Sequence, residues 1–350
     1  MVSIRRASDE DNQALLDVEK MCPQGTGLVL LFDRSPDFFL RSKAYDNYSV
    51  YVAEEGAKIV GTISTTIKEL NIDGRRTKSV YVYDMRVHPD YRGKGIASSL
   101  HQHALAEADD ARLAYVIIME ENYPSIALIK KMGFQNIHDV LLLNIPLYER
   151  QTRTTHEIRS VTADDVPQVV DLINDYYRDR DFFSLLTETD FLDKTKRLPG
   201  YGLQNVQVIE EGNRIVACAG LWDYSEIFRV SALRVSAKLR VLRSFLKFIS
   251  IFRETARLPS VGEPFRLMYV RDFAFIGKMD LVDELVRHCL CLANDRGCNF
   301  LSFALDPADP IIPLLAKYKP VRVTYHVYAK SLEQKALSSP TMMYIDAADL

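Results

Sequence analysis

One stretch of the chain, VYVYDMRVHPDYRGKGIASSL at 80–100, carries residue types that can do chemistry. Arg92, Gly93, Lys94 and Gly95 form a basic, glycine-rich turn. The apolar pattern of Ile96, Ala97, Leu100, Ala104 and Leu105 follows directly. A turn of this kind, between a strand and a helix N-terminus, leaves several backbone N–H groups unpaired and pointing one way. The helix end adds a field that favours negative charge. Two glycines let the backbone approach a phosphate closely. The chemistry on offer is anion binding, and the competing reading is an ordinary tight turn. It is not a Walker loop, since no Ser or Thr follows the Lys in the required order. It is not the dinucleotide fingerprint either, which needs a third glycine.

The elements that must hold this turn are legible around it. Val80, Val82, Met85 and Val87 predict a strand, and Asp84 interrupts it, so a bulge or splay is expected there. Residues 88–90 make a turn and 96–108 a helix. Next come an apolar strand over 115–119, then Asn122, then a helix over 125–132 that starts past Pro124 and stops at Gly133. Residues 135–147 close the sheet. Upstream, a strand over 4–6 and a helix over 9–21 precede an aromatic-rich segment at 22–48 with a helical piece near 36–44. Strands over 48–54 and 58–68 lead into the central one.

The chain repeats itself. IRRASDEDNQALLDVEKM from Ile4 returns as IRSVTADDVPQVVDLINDYY from Ile158, and VYVAEEGAKIVG from Val50 returns as VQVIEEGNRIVA from Val206. Two matches in the same order and at nearly equal spacing predict two α/β units, 1–150 and 156–332, joined by QTRTTHE and followed by a tail at 333–350. The length of 350 residues suits two such units.

A net charge of −3 gives no reason to expect nucleic acid as a partner. Five scattered cysteines argue against a disulfide framework and for a reducing, cytoplasmic setting. No signal peptide or membrane-length apolar run is seen. His101 and His103, like Cys289 and Cys291, point different ways on their helices, so no metal is expected. Over 234–258, Leu242, Phe245, Ile249 and Phe252 predict an amphipathic helix with Lys238, Arg243 and Lys247 beside it. It is read as packed on its domain, with an anionic-substrate surface or a membrane surface as alternatives.

RVHPDYRGKGIA closely resembles the pyrophosphate-binding motif of the GNAT superfamily of N-acetyltransferases, R/Q-x-x-G-x-G/A, with Arg92, Gly95 and Ala97 at its signature places. NYPSIALIKKMGF resembles the family's second motif, through Asn122, Ser125, Lys131, Gly133 and Phe134. The resemblance implies an α/β (α+β) fold of tandem acyl-CoA N-acyltransferase-like domains, each a mixed, largely antiparallel sheet flanked by helices. It implies acetyl-CoA as co-substrate and no metal. The cofactor-binding set would be Met85, Val87, Arg92, Gly93, Lys94, Gly95, Ile96, Ala97, Asn122 and Ser125. The pantetheine arm would lie between the two central strands, and a backbone N–H near Val87 would polarise the thioester carbonyl. Phe32, Phe38, Phe39 and Tyr45 would border the acceptor site or simply pack.

The reaction so implied moves an acetyl group to a primary amine of a small molecule or peptide, by direct attack in a ternary complex. Asp84 is expected to activate the amine, directly or through a water, with Glu120 and Glu121 next in line. Ile129 stands where the family often has the tyrosine that protonates the leaving thiolate. Of the nearby phenols Tyr83, Tyr91 and Tyr123, Tyr123 takes the acid's role. In the second unit Gly277, Asp280 and Val282 fall at the places of Arg92, Gly95 and Ala97, and DPADPIIPLLAKYKP replaces the second motif. That unit is therefore expected not to bind the cofactor and to wall the acceptor pocket. Two other readings remain: a longer or different acyl-CoA, or a CoA-binding regulator without turnover.

Overall fold

The structure is a computed structural model, described here over residues 2–25, 28–108, 110–148, 157–235, 259–333 and 337–350. In the first half, β1 (Val2–Arg6) leads through the 3-10 turn Asp9–Asp11 into α1 (Asn12–Lys20). β2 (Leu28–Asp33) follows. The expected helical piece near 36–44 is two short 3-10 turns, Phe38–Leu40 and Ser42–Ala44. Then come β3 (Tyr48–Glu55), β4 (Lys58–Ile72), β5 (Arg75–Val87), α2 (Ile96–Ala106), β6 (Leu113–Met119), α3 (Tyr123–Lys131) and β7 (Gln135–Pro146). The second half runs β8 (Ile158–Ser160), α4 (Val166–Tyr177), α5 (Glu188–Arg197), β9 (Val206–Glu211), β10 (Arg214–Asp223), β11 (Arg229–Val235), β12 (Pro264–Phe265) and β13 (Leu267–Phe275). It ends with α6 (Met279–Asp295), β14 (Phe300–Leu305), α7 (Ile312–Ala316) and β15 (Val321–Ser331).

The repeat extends to single contacts. Arg5 reaches Asp11 at 2.7 Å and Glu54 at 2.6 Å, and Arg159 reaches Asp165 at 2.6 Å and Glu210 at 2.8 Å. Asp11 and Asp165 each close a capping box ahead of the first helix of their half. The hairpins β3–β4 and β9–β10 both turn at Glu-Glu-Gly. Such a turn needs a left-handed residue, and Gly56 and Gly212 supply it at φ +64° and +56°.

The two halves share one twelve-stranded sheet, in the order β1-β3-β4-β5-β6-β15-β7-β14-β13-β10-β9-β8. The pairs β5–β6 and β13–β14 are parallel and the rest antiparallel. The last strand of each half is exchanged: β15 lies between β6 and β7, and β7 between β15 and β14. The side chains follow. Leu141, Leu143 and Ile145 of β7 pack in one core with Leu285, Cys289 and Leu290 of α6, while Tyr328 of β15 joins the core under α2. The expected boundary at 150–156 thus separates two sequence repeats but not two independent cores.

A second, three-stranded sheet also crosses between the halves, with β11 paired to both β12 and β2. The tail lies across the junction. Met343, Ile345, Ala347 and Ala348 are buried, Asp346 pairs with Arg271 at 2.7 Å and Asp349 with Lys68 at 2.5 Å. The expected basic helix at 234–258 falls outside the described residues except for Arg234 and Val235, which end β11, and the linker at 151–157 is outside except for its last residue. Among the described residues no helix is long and apolar enough to cross a membrane.

Candidate active site

β5 and β6 pair over only three positions, Ser79–Leu113, Val80–Ala114 and Tyr81–Tyr115, and then separate. A bulge on β5 accompanies the gap. Tyr83 faces Ser64 and Arg86 faces Thr62, so Asp84 and Met85 together oppose one residue of β4. Asp84 sits there at φ +52°, a left-handed conformation that Asp tolerates better than most residues. The interruption expected at Asp84 is this bulge.

A cavity of about 340 Å³ occupies the gap. Met85 of β5, His101 of α2, and Asn122, Ser125 and Ile129 around α3 line one part of it. Arg41, Asp349 of the tail, and Tyr224, Phe228, Tyr269 and Tyr325 of the second half line another. The second half therefore lines part of the cavity.

Residues 92–95 are exposed, and Gly95 is the N-cap of α2. Gly93 and Gly95 have φ of +76° and +80°, and a Cβ on either would meet nothing within 4 Å. Glycine is favoured by the backbone there, and the space beside it is open. Arg92 Nε donates to the Val87 carbonyl at 3.2 Å, which ties the turn to the end of β5. Lys94 Nζ lies 4.6 Å from the centre of the Tyr91 ring. His88 is buried, and its Nδ1 accepts from the Asp90 N–H at 3.3 Å. In the second half only residues 276–278 join β13 to α6, with Asp280 in the first turn of the helix. No comparable cradle can form from so short a connection. Asn122 accepts from the Ser125 N–H at 3.4 Å and so caps α3 beside the gap.

Asp84 does not stand free to take a proton. Its Oδ2 accepts from Arg34 at 2.5 Å and its Oδ1 from Arg41 at 2.8 Å. Arg34 is itself fully buried, held by Glu19 and stacked 4.1 Å from the centre of Phe38. Burial alone would raise the Asp84 pKa, but the guanidinium groups win and hold it down at about 2. A carboxylate so placed is a poor base, and in this structure Asp84 serves to neutralise two buried arginines. The second half supplies an internal control. Asp272 sits at the matching bulge of β13, at φ +47°, and is bound by Lys194 and by Tyr201 Oη at 2.6 Å. The half without the phosphate turn keeps the same paired aspartate.

Tyr123, the expected acid, is 69% exposed at the start of α3 and does not line the cavity. Glu120 and Glu121 are exposed as well. Ile129 is buried against the gap. Phe32 lines the cavity, Phe38 and Phe39 pack on α1, and Tyr45 donates to Asp349 at 3.0 Å. Sequence reasoning missed the cavity residues Arg41, His101, Tyr224 and Asp349. Tyr224 Oη and both ring nitrogens of His101 are buried without hydrogen-bond partners among the described residues. Only the helical spacing from the phosphate turn could have marked His101. Nothing local marks the other three.

Residues 13–134 match the acetyltransferase (GNAT) family. The chain is 24% identical over 340 residues to a probable N-acetyltransferase HLS1 of Arabidopsis thaliana, covering 84% of this chain and 83% of that one. It is 33% identical over 98 residues to N-acetyltransferase family 8 member 2 of Rattus norvegicus, covering 27% of this chain and 42% of that one. Saccharomyces cerevisiae N-myristoyltransferase with bound myristoyl-CoA shares the fold at a TM-score of 0.65 and 12% identity, over 94% of this chain and 79% of that one. A GCN5-related N-acetyltransferase from Sphaerobacter thermophilus does so at 0.58 and 11%, over 97% and 98%. The glycine-rich turn and the splayed strands thus lie within residues 13–134, the part of the chain that matches the GNAT acetyltransferase family and, with relatives named N-acetyltransferases, supports an acyltransferase.

Proposed function

We propose that the chain transfers an acyl group from an acyl-CoA, with acetyl-CoA the first donor to test, to a primary amine of a small molecule or peptide. The observation that carries this reading is the cavity where β5 and β6 part, lined by Met85, His101, Asn122 and Ser125 on one side and by the second half and the tail on the other. Arg92, Gly93, Lys94, Gly95, Ile96 and Ala97 hold the pyrophosphate. Asn122 and Ser125 border the pantetheine arm. Met85 and Val87 lie on β5 where it has parted from β6, so backbone N–H groups on that side have no strand partner and can polarise a carbonyl.

CoA supplies an activated thioester; the amine forms a C–N bond as the C–S bond breaks, and one proton leaves the nitrogen. Asp349 faces the cavity with Lys68 and Tyr45 both on its Oδ1. Its other oxygen is our candidate to receive the acceptor's ammonium. The Tyr224 hydroxyl is available to donate a hydrogen bond to the departing sulfur. Burial raises the Tyr224 pKa, so it keeps its own proton, and a thiol of pKa about 8.5 leaves without a full transfer.

Calorimetric titration of CoA into the full chain tests this. One site per chain is expected, with thiol release from acetyl-CoA on addition of a panel of amines. Two equivalent sites, or no binding, would defeat the reading. Binding without turnover on any amine would favour a CoA-responsive regulator.

A further inference from the structure

His101 is left unused by the reaction as described. It lies on α2 with its ring edge-on to Phe134, 5.3 Å between centroids. The residue is 1% exposed, lines the cavity with Val82, Val116, Ile118 and Ile129, and neither ring nitrogen has a partner. A neutral imidazole carries one donor and one acceptor, and native interiors seldom leave such groups unpaired. The side chains of Val82, Val116, Ile118 and Ile129 beside it are hydrocarbon and can satisfy neither. Burial, with the Lys330 charge nearby, pushes its pKa down to about 4, so the ring is neutral near pH 7.

Its position says which part of a donor would meet it. The phosphate turn is at the open end of the gap, where β5 ends. From there α2 runs back over the sheet. A Cβ placed on Gly61, which pairs with Val87, would touch Ile96 and Leu100. His101 comes next and shares its stretch of cavity with Val82 and Val116, the residues just beyond the last paired positions Tyr81 and Tyr115. That is the closed end. A CoA anchored by its pyrophosphate at 92–97, as proposed above, would point its acyl group toward that end.

We infer that His101 is a specificity-determining residue that hydrogen-bonds an oxygen on the acyl chain beyond the thioester, so that the cavity favours short acyl-CoAs bearing a hydroxyl or keto group over alkyl chains of equal length. The inference rests on the proposed acyl-CoA reading of the same site. An unpaired donor and acceptor gain from such an oxygen and gain nothing from a methylene.

The test is titration of the full chain with CoA, butyryl-CoA, 3-hydroxybutyryl-CoA and acetoacetyl-CoA. The oxygenated donors should bind about ten-fold more tightly than butyryl-CoA, the effect of about one hydrogen bond. His101→Phe should erase that difference and leave CoA affinity unchanged. The imidazole carbon-bound proton signal that disappears in His101→Phe should shift in wild-type protein with 3-hydroxybutyryl-CoA and stay put with CoA. If CoA binds and the wild type does not discriminate, the inference falls and the proposed function stands. If CoA alone moves the signal and His101→Phe weakens every ligand equally, the imidazole holds the pantetheine arm and the inference falls. If no CoA compound binds, both fall. Should His101→Phe not fold, the wild-type comparison and His101→Gln decide.

Discussion

The Asp84 carboxylate lies where a base would be sought, yet two arginines hold its oxygens. Asp84→Asn (D84N) keeps the shape and removes the charge. It leaves Arg34 and Arg41 short of a counter-ion in a buried setting, a loss of about 3–5 kcal/mol. The expected outcome is a large drop in the urea midpoint. The pH dependence follows with a definite sign. The folded-state pKa of about 2 is below the unfolded value. The stabilisation is therefore full above an ordinary Asp pKa of about 4 and fades as pH falls toward 2. In D84N that part of the acid slope should be missing. If D84N instead keeps its urea midpoint and loses about 10²-fold in kcat/KM, the general-base role holds after all. The sequence exposed the bulge at Asp84 because a lone Asp in a β-branched run is a local signal. It hid the role because Arg34 and Arg41 lie 50 and 43 residues away in sequence.

At the scale of elements, what could be read was local. The glycine-rich turn, its helix and the capped α3 each depend on residues within a few positions of one another, and the structure has a turn and two helices there. β2 was missed. Its apolar run LVLLFD has the right composition, but its partner β11 comes from the other half of the chain. β4 runs four residues past its expected end at Lys68, because Glu69–Ile72 pairs with Arg75–Lys78 and the hairpin turns only at Asp73–Gly74. Gly95→Glu (G95E) tests the turn as a device. The site needs φ near +80° and open space beside the backbone. A side chain there costs about 1–2 kcal/mol in backbone strain, and a carboxylate adds repulsion toward pyrophosphate. CoA binding should vanish while the thermal midpoint falls only modestly. Asp280→Ala, at the start of α6, should leave CoA affinity as it was. Retained binding in G95E would move the anion site elsewhere.

The whole molecule is where the repeat and the fold part company. A sequence repeat suggests two beads, but the exchanged strands make one body. β6 pairs with β5 at three positions and with β15 along its whole length, from Leu113–Ser331 to Met119–Tyr325. Without the second half, β6 loses that edge, β7 loses both neighbours, and Leu141, Leu143 and Ile145 lose the core under α6. Each such side chain contributes about 1.5–3 kcal/mol by burial, a large share of a domain's margin of about 5–15 kcal/mol. Residues 1–148 expressed alone should therefore not persist as a stable monomer. The repeat offers them an escape. β7 and β15 lie side by side and antiparallel, and β6 and β14 flank them, so two copies of the first half can pair β7 with β7 and offer each β6 the other's β7. Light scattering on purified 1–148 should find aggregates or a dimer, and the dimer should bind one CoA per protomer, since each carries a phosphate turn. It should not acylate the full chain's acceptor, because Tyr224, Tyr269, Tyr325 and Asp349 are gone from the pocket. A monomeric 1–148 with the full chain's thermal midpoint and turnover would show that the exchanged strand is dispensable.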